Sequence, residues 1–401
     1  MSKKITDVTI VGAGIAGLSL ALALSRKNFT VNLLDSRELN YQSSHDDLNL
    51  NRVVALNHSS IKILDNLKVW DKIKPSVGSY KKMYIYEQDE VGSISFSADE
   101  LGLSKLGYIV SNDIIINTLL GQALEEENIN IHLNQTVKKL NLGDVQTVVT
   151  NEGLELESSL VVGADGANST VRDLLGIECN EKPYSHTAIV ATVELERGHD
   201  NTAWQRFANE GPLAFLPLKD DKLASIVYSS DNSKFLLGMD DKQFSSHLSN
   251  VTDGVFGKIS LKSQRVSFPL ARKHVSEYGV LGCVLVADAA HLVHPLAGQG
   301  INLGLLDVAS LVDILCQSRQ NNCKLSSKRI VIKLEESRRI HNAMLLLLTD
   351  NLKKLFANDN SIVTLVRNLG LNLLDKNIWL KKQMVNVALG KVGELPSLAK
   401  T

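Results

Sequence analysis

Residues 8–24 read Val8-Thr9-Ile10-Val11-Gly12-Ala13-Gly14-Ile15-Ala16-Gly17-Leu18-Ser19-Leu20-Ala21-Leu22-Ala23-Leu24, an apolar run behind Lys3 and Lys4. A charged head, an apolar body and small residues near its end have the outline of a secretory leader. Asp7 at the mouth of the run argues against that, as do three glycines inside it. A spanning helix needs about 20 continuous apolar residues, which this stretch barely supplies. The better division is a short buried strand, Val8 to Val11, a glycine turn, and a helix from about Ile15 to Arg26. No other segment reads as long and apolar enough to cross a bilayer.

Beyond the helix, Asn28 marks a stop and residues 30–34 read as a second strand ending at Asp35. Strand, helix and strand in this order predict a parallel pair. Gly12-Ala13-Gly14-Ile15-Ala16-Gly17 then sits between strand and helix as a GxGxxG turn. Its first glycine permits the tight turn, its second lets a diphosphate approach the backbone, and its third lets helix and strand pack closely. The helix start offers free N–H groups and positive partial charge. Asp35 lies about 20 residues on, where an acid meets the adenosine ribose. A glycine-rich turn with a capping acid is the plainer alternative, but the combination favours a dinucleotide, FAD or NAD.

Further along, residues 59–69 carry an apolar stripe at helical spacing, residues 83–96 alternate as antiparallel strands do, and residues 114–124 return to helix. Residues 129–156 suggest a small meander, and Leu160-Val161-Val162 a short buried strand. From Thr187 to Phe268 the pattern is strands and turns, with one helical patch near 242–248. A buried strand at 284–286, a helix from about Ile301 to Cys316 and leucine-rich helices over 330–389 complete the chain. This order predicts an α/β fold: a discontinuous Rossmann-like nucleotide-binding domain, a β-rich second domain and a C-terminal helical region. The formal charge of −1, from 43 basic and 44 acidic side chains among 401, disfavours a nucleic-acid binder. The four cysteines form no CxxC pair, which fits a reducing compartment.

Two more constellations follow short strands. Gly163-Ala164-Asp165-Gly166-Ala167-Asn168-Ser169 precedes a helix, and function and simple capping weigh evenly there. Ala287-Asp288-Ala289-Ala290-His291 leads to His294-Pro295-Leu296-Ala297-Gly298-Gln299-Gly300-Ile301-Asn302-Leu303-Gly304, an acid after a strand and a glycine-rich helix start. His291 and His294 find no acidic or cysteine partners nearby in the sequence, so no metal is expected. Trp70, Trp204 and Trp379 read as core or interface residues.

The three glycine-bearing stretches together resemble the single-component FAD-dependent aromatic hydroxylases, the family of para-hydroxybenzoate hydroxylase. The run from His294 to Asp307 and Gly211-Pro212-Leu213-Ala214-Phe215-Leu216-Pro217-Leu218 resemble its ubiquinone-biosynthesis branch. The resemblance implies an FAD-binding domain in three parts (1–78, 105–182, 275–345), a substrate domain in two (79–104, 183–274) and C-terminal helices at 346–401. It implies that Arg52 contacts FAD, that Asp288 holds the ribityl or ribose chain, and that Asp165 shapes the pyrophosphate and nicotinamide side. Pro295 and the amides of Gly298, Gln299 and Gly300 would lie beside the isoalloxazine, with Ile301 and Asn302 following and Asn112 as a polar neighbour. With Gly12, Ala13, Gly14, Ile15, Ala16, Gly17 and Asp35, these make up the expected cofactor-binding set. Two departures stand out: Ala287 replaces a usual glycine, adding a methyl near the cofactor, and Asn51 replaces an acid before Arg52.

The implied activity is hydroxylation of a polyprenylated phenol ring with NAD(P)H and O₂, through a flavin C4a-hydroperoxide. No second GxGxxG unit appears, so no dedicated NAD domain is expected, and the resemblance implies transient docking of NAD(P)H. No phenol-activating residue is identified. A lipophilic phenol would require an apolar channel in the β-rich domain. The expected location is cytoplasmic, with peripheral contact at the inner membrane or membership of a quinone-biosynthesis complex. The alternatives are a prenyl reductase on the same scaffold and a catalytically decayed flavin-binding assembly protein.

Overall fold

The computed structural model describes residues 5–42, 52–87, 92–208, 210–293, 298–356, 375, 377–388, 390 and 394–400. The strand Thr6–Val11 lies at the centre of a sheet. It pairs in parallel with Val31–Leu34 on one side (Val8 opposite Val31) and Glu155–Gly163 on the other (Val8 opposite Leu160). Ile129–His132 extends the sheet beyond Val31–Leu34, and Cys283–Leu285 extends it beyond Glu155–Gly163, both in parallel. The meander expected over 129–156 is thus only partly formed. Val137–Asn141 and Gln146–Thr150 build an antiparallel ribbon onto Glu155–Gly163, whereas Ile129–His132 leaves it for the parallel sheet.

All eleven residues of the helix Ile15–Ser25 are buried. The helix is apolar on every side because it lies against the sheet and is packed by the helices Asn112–Leu124 and Gly300–Gln320. The lysine-headed apolar run is therefore strand and core helix. Gly300–Gln320 corrects the expectation that no other segment could span a membrane. By length and composition it could, yet 72% of its apolar window is buried inside the protein.

A second sheet of nine strands runs Lys82–Glu87 and Ser93–Ser97 at one edge to His291–Leu292 at the other. Its spine is Cys179–Leu195, paired antiparallel with Leu223–Ser230 and Val266–Val275. The pairing with Val266–Val275 slips between Pro183 and Thr187, where proline has no N–H to give the ladder. Two helices, Ser233–Gly238 and Asp241–Val251, cover one face, rather than the single patch the sequence suggests. The second begins with a capping box in which Asp240 and Gln243 exchange side-chain and backbone bonds. Ile189, Phe215, Tyr228, Phe244 and Phe256 fill the core between. Val53–Leu56, Gly107–Ser111 and Gly78–Tyr80 form a separate three-stranded sheet with Gly107–Ser111 at its centre. The C-terminal helices are Lys328–Phe356 and Ile378–Ala388. Trp70 is buried and Trp204 packs edge-on against Tyr84 and Phe256, whereas Trp379 is 64% exposed.

Candidate cofactor and substrate site

The three fingerprint glycines meet different surroundings. Gly12 has φ +106°, and a Cβ there would lie 2.4 Å from the Ala164 carbonyl oxygen. A Cβ on Gly17 would lie 1.8 Å from the Gly12 carbonyl oxygen, inside the helix–turn contact. A Cβ on Gly14 meets nothing within 4 Å, so open space fronts the start of Ile15–Ser25, where no side chain caps the helix.

Asp35 braces this turn. Its Oδ2 accepts from the Ala13 N–H at 2.7 Å, and its two oxygens accept from Arg37 Nε at 2.9 Å and Nη2 at 3.0 Å. Burial alone would raise the Asp35 carboxyl, but hydrogen bonds from Arg37 and Ala13 outweigh it and hold it below the usual range. Arg37 is a partner that the reading of the sequence misses. An arginine two residues after the acid was the available signal.

Asp165 caps a helix. One oxygen accepts from Ser169 Oγ at 2.5 Å and the other from the Val171 N–H at 3.0 Å, at the start of Thr170–Leu174. Burial raises its carboxyl above the ordinary value despite these bonds.

Of the expected residues, Arg52, Asn112, Asp288, Gly298, Gln299, Gly300, Ile301 and Asn302 converge on one cavity of about 1180 Å³. Gly12 to Gly17, Asp35 and Asp165 stand outside its lining, and Pro295 and Asn51 lie outside the described residues. The Arg52 guanidinium sits 5.9 Å from the centre of the Phe268 ring. Asp288 faces the cavity with its carboxyl raised by burial, although His291 and Arg52 oppose that shift. The Asn112 Oδ1 is buried with no hydrogen-bond partner.

Asn302, by contrast, has a fully engaged side chain. Its Oδ1 accepts from Asn57 N–H at 3.0 Å and Ser60 Oγ at 2.6 Å, and its Nδ2 donates to the carbonyls of Ala55 and Gly298, both at 2.9 Å. The carboxamide ties the Val53–Leu56 strand to the start of Gly300–Gln320. A Cβ on Gly300, two residues earlier, would meet open space.

Behind the cavity lies a buried polar cluster that the sequence reading misses. His291 Nε2 and Asp307 Oδ2 are 2.5 Å apart, and Asp307 Oδ1 accepts from Arg338 Nε at 2.8 Å. Asp307 also accepts from the Ala287 N–H at 3.1 Å and from Asn342 Nδ2 at 3.2 Å. Burial would raise the Asp307 carboxyl, but its contacts with His291 and Arg338 hold it far below the ordinary range. His291 therefore does have an acidic neighbour, 16 residues away, contrary to the expectation from the sequence. Among the described residues, no group of three or more metal-ligating side chains forms.

Ala287 stands in the left-handed region at φ +54°, and a Cβ on Gly304 would lie 2.7 Å from its methyl, which therefore faces the Gly300–Gln320 helix.

The other side of the cavity is a wall of the nine-stranded sheet, including Ala203, Pro212, Ala214, Leu216 and Val227. Met344, Leu345, Met384 and Val385 of the C-terminal helices border it. Residues 5–323 match the family described as "FAD binding domain". The chain belongs to that family. FAD is its cofactor, NAD(P)H the electron donor typical of the family, and the chain is a flavin-dependent monooxygenase. Similar proteins include the 3-demethoxyubiquinol 3-hydroxylase of Escherichia coli K12, 32% identical with 97% of this chain and 100% of that one covered. The mitochondrial ubiquinone biosynthesis monooxygenase COQ6 of Homo sapiens is 30% identical over 95% of this chain and 92% of its own. Among solved structures, p-nitrophenol 4-monooxygenase PnpA from Pseudomonas putida DLL-E4 superposes with a TM-score of 0.76. It is 18% identical, with 95% of this chain and 96% of that chain covered. This likeness speaks for the fold of the flavin monooxygenase.

Proposed function

We propose that this flavin monooxygenase hydroxylates the aromatic ring of a polyprenylated phenol in ubiquinone biosynthesis. The observation that carries the reading is the single cavity in which Arg52, Asp288 and the Gly298–Asn302 backbone face an apolar sheet wall. That composition suits a charged cofactor edge on one side and a lipophilic ring on the other.

The residues present fit FAD. Open space before Gly14 and Gly300 leaves room for a cofactor at two helix starts, and the orphaned Asn112 Oδ1 lacks the donor that a bound group would supply. In this reading the N–H groups after Gly14 hold the diphosphate. Asp35 keeps the turn in shape and meets the ribose when Arg37, whose side chain is 56% exposed, swings aside. Arg52, Asn112, Asp288 and the run from Gly298 to Asn302 hold the ribityl chain and ring. Asp165 acts at one remove, fixing the segment that abuts Gly12. When bound, FAD carries the electrons that let O₂ give one oxygen atom to the ring. The sheet wall and the C-terminal helices exclude water.

The same reading divides the chain into FAD-binding parts 1–78, 105–182 and 275–345 and substrate parts 79–104 and 183–274, with C-terminal helices at 346–401. Support comes from the sheets: the parallel one draws its strands from the first set of ranges. A cytoplasmic enzyme touching the inner membrane completes the proposal. Ile340, Met344 and Leu347 are exposed along one face of Lys328–Phe356, and Met344 also lines the cavity. A prenylated substrate could pass there from lipid to protein.

The test is NAD(P)H oxidation by the FAD-loaded protein with a short-chain prenylphenol under labelled O₂. The expected product is one oxygen heavier and carries the label. A product with a saturated prenyl bond and no new oxygen would instead indicate a reductase. No stimulation by the phenol would indicate a non-catalytic flavoprotein.

A further inference from the structure

We infer that Gln205 grips an uncharged oxygen substituent of the substrate ring, a deepening that rests on the hydroxylase reading above. Gln205 lies on the strand Thr202–Ala208, opposite Ala214 on one side and Ile85 on the other. The next residue, Arg206, points away from the cavity and pairs with Asp253 at 2.6 Å. Gln205 itself is 6% exposed, lines the cavity and has no side-chain hydrogen-bond partner among the described residues. Its neighbours on that wall, Ala203, Ala214, Leu216 and Val227, offer no donor or acceptor side chain.

Its carboxamide faces the cavity with no protein partner among the described residues, so an occupant that displaces water there must supply the bonds that water makes. The amide donates through N–H and accepts through its oxygen, so it suits a ring hydroxyl or methoxy group equally. It brings no charge. Of the cations in the lining, Lys273 is held by Glu181 at 3.2 Å and Arg52 lies against Phe268. The wall that carries Gln205 therefore favours a neutral oxygen over a ring carboxylate, because a carboxylate there would be buried without a countercharge. Discrimination of this kind is strong when a site is built around a hydrogen bond, since an analogue without the oxygen leaves the buried amide unpaired.

The experiment uses the FAD-loaded enzyme and three probes: 2-prenylphenol, its methyl ether and prenylbenzene. Binding is read from the perturbation of the flavin spectrum. The wild type should bind the phenol about 10-fold more tightly than prenylbenzene, and Gln205→Leu should bring the two within about 2-fold. Gln205→Glu keeps an acceptor for the phenol O–H but loses the N–H that the ether needs. It should widen the phenol-to-ether ratio, which a general loss of structure would not do. If the Leu variant fails to hold FAD, the Glu ratio decides. A Leu variant that still prefers the phenol 10-fold, or a Glu variant with the wild-type ratio, overturns the assignment while phenol-stimulated NAD(P)H oxidation keeps the hydroxylase reading intact. If the wild type shows no such stimulation, the hydroxylase reading and the Gln205 assignment fall together.

Discussion

The methyl of Ala287 occupies the space that Gly304 leaves on the facing helix, so that a methyl on both residues would be separated by only 2.7 Å. Ala287 takes up this position in the left-handed region, at φ +54°, with its N–H bonded to Asp307. Left-handed backbone costs a residue with a Cβ about 1–2 kcal/mol, against the roughly 0.5–1 kcal/mol of extra chain entropy that glycine loses. Ala287→Gly should therefore raise stability by up to about 1 kcal/mol. Gly304→Ala should lower it by about 1–3 kcal/mol through overpacking. The double variant should recover most of that loss. Urea unfolding of the four proteins checks the cycle, and strictly additive effects would sink the claim that the two positions touch.

The fingerprint glycines should separate in their effects. Gly17→Val forces a side chain into the Gly12 carbonyl and should prevent folding. Gly14→Val puts its side chain into open space, so the apoprotein should fold with a near-native melting temperature while losing FAD. Circular dichroism and the visible flavin absorbance per chain distinguish the two. A yellow Gly14→Val protein would contradict the proposed diphosphate position.

Asp307 is fully buried between His291 and Arg338, and Arg338 is 5% exposed. Asp307→Asn keeps the shape but strands the guanidinium, and should cost about 3–5 kcal/mol. Adding Arg338→Met removes the stranded charge and should restore a large part of that. The measurement is chemical denaturation of the single and double variants. Equal stability of Asp307→Asn and wild type would show that the cluster contributes little.

His274 gives a pH dependence with a defined sign. Burial, joined by the electrostatic influence of His291, Arg339 and Arg272, lowers its value from 6.5 to about 4. Below 6.5 the unfolded chain takes up a proton that the folded chain refuses until about pH 4, so acidification favours unfolding across that window. Above pH 6.5 the imidazole is neutral in both states and the effect vanishes. His274→Gln should flatten the fall in stability between pH 6.5 and 4.5, where Asp307, held far below its ordinary value, remains charged in the folded state. An unchanged slope would assign the acid sensitivity elsewhere.

What could be read from the sequence was local. Gly12, Gly14 and Gly17 announce a turn because only glycine suits a positive φ or a backbone approach, and the Val8–Val11 run is too short and too apolar to be anything but a buried strand. The missing parts depend on separation along the chain. Arg338 reaches Asp307 across 31 residues, and Asn302 joins Asn57 across 245, distances over which spacing carries no signal. Gln205 looks like an ordinary polar residue in an alternating strand until the sheet shows that its side faces inward. Asp165 was balanced between capping and cofactor contact, and its side chain proves to be spent on the cap. The contact of the Ala287 methyl with the Gly304 helix could not be read from the sequence, because the backbone there is left-handed, which alanine does not advertise.

The central parallel sheet has a further consequence for how the protein is made. Thr6–Val11 leaves the ribosome about 150 residues ahead of its neighbour Glu155–Gly163, and further ahead of Cys283–Leu285. At ordinary translation rates the nascent chain spends on the order of tens of seconds with an unsatisfied strand edge and the largely apolar Ile15–Ser25 segment uncovered. Newly synthesised chains should therefore be clients of holdase chaperones. Truncated messages ending before residue 283 should yield insoluble protein, however intact their nucleotide-binding fingerprint.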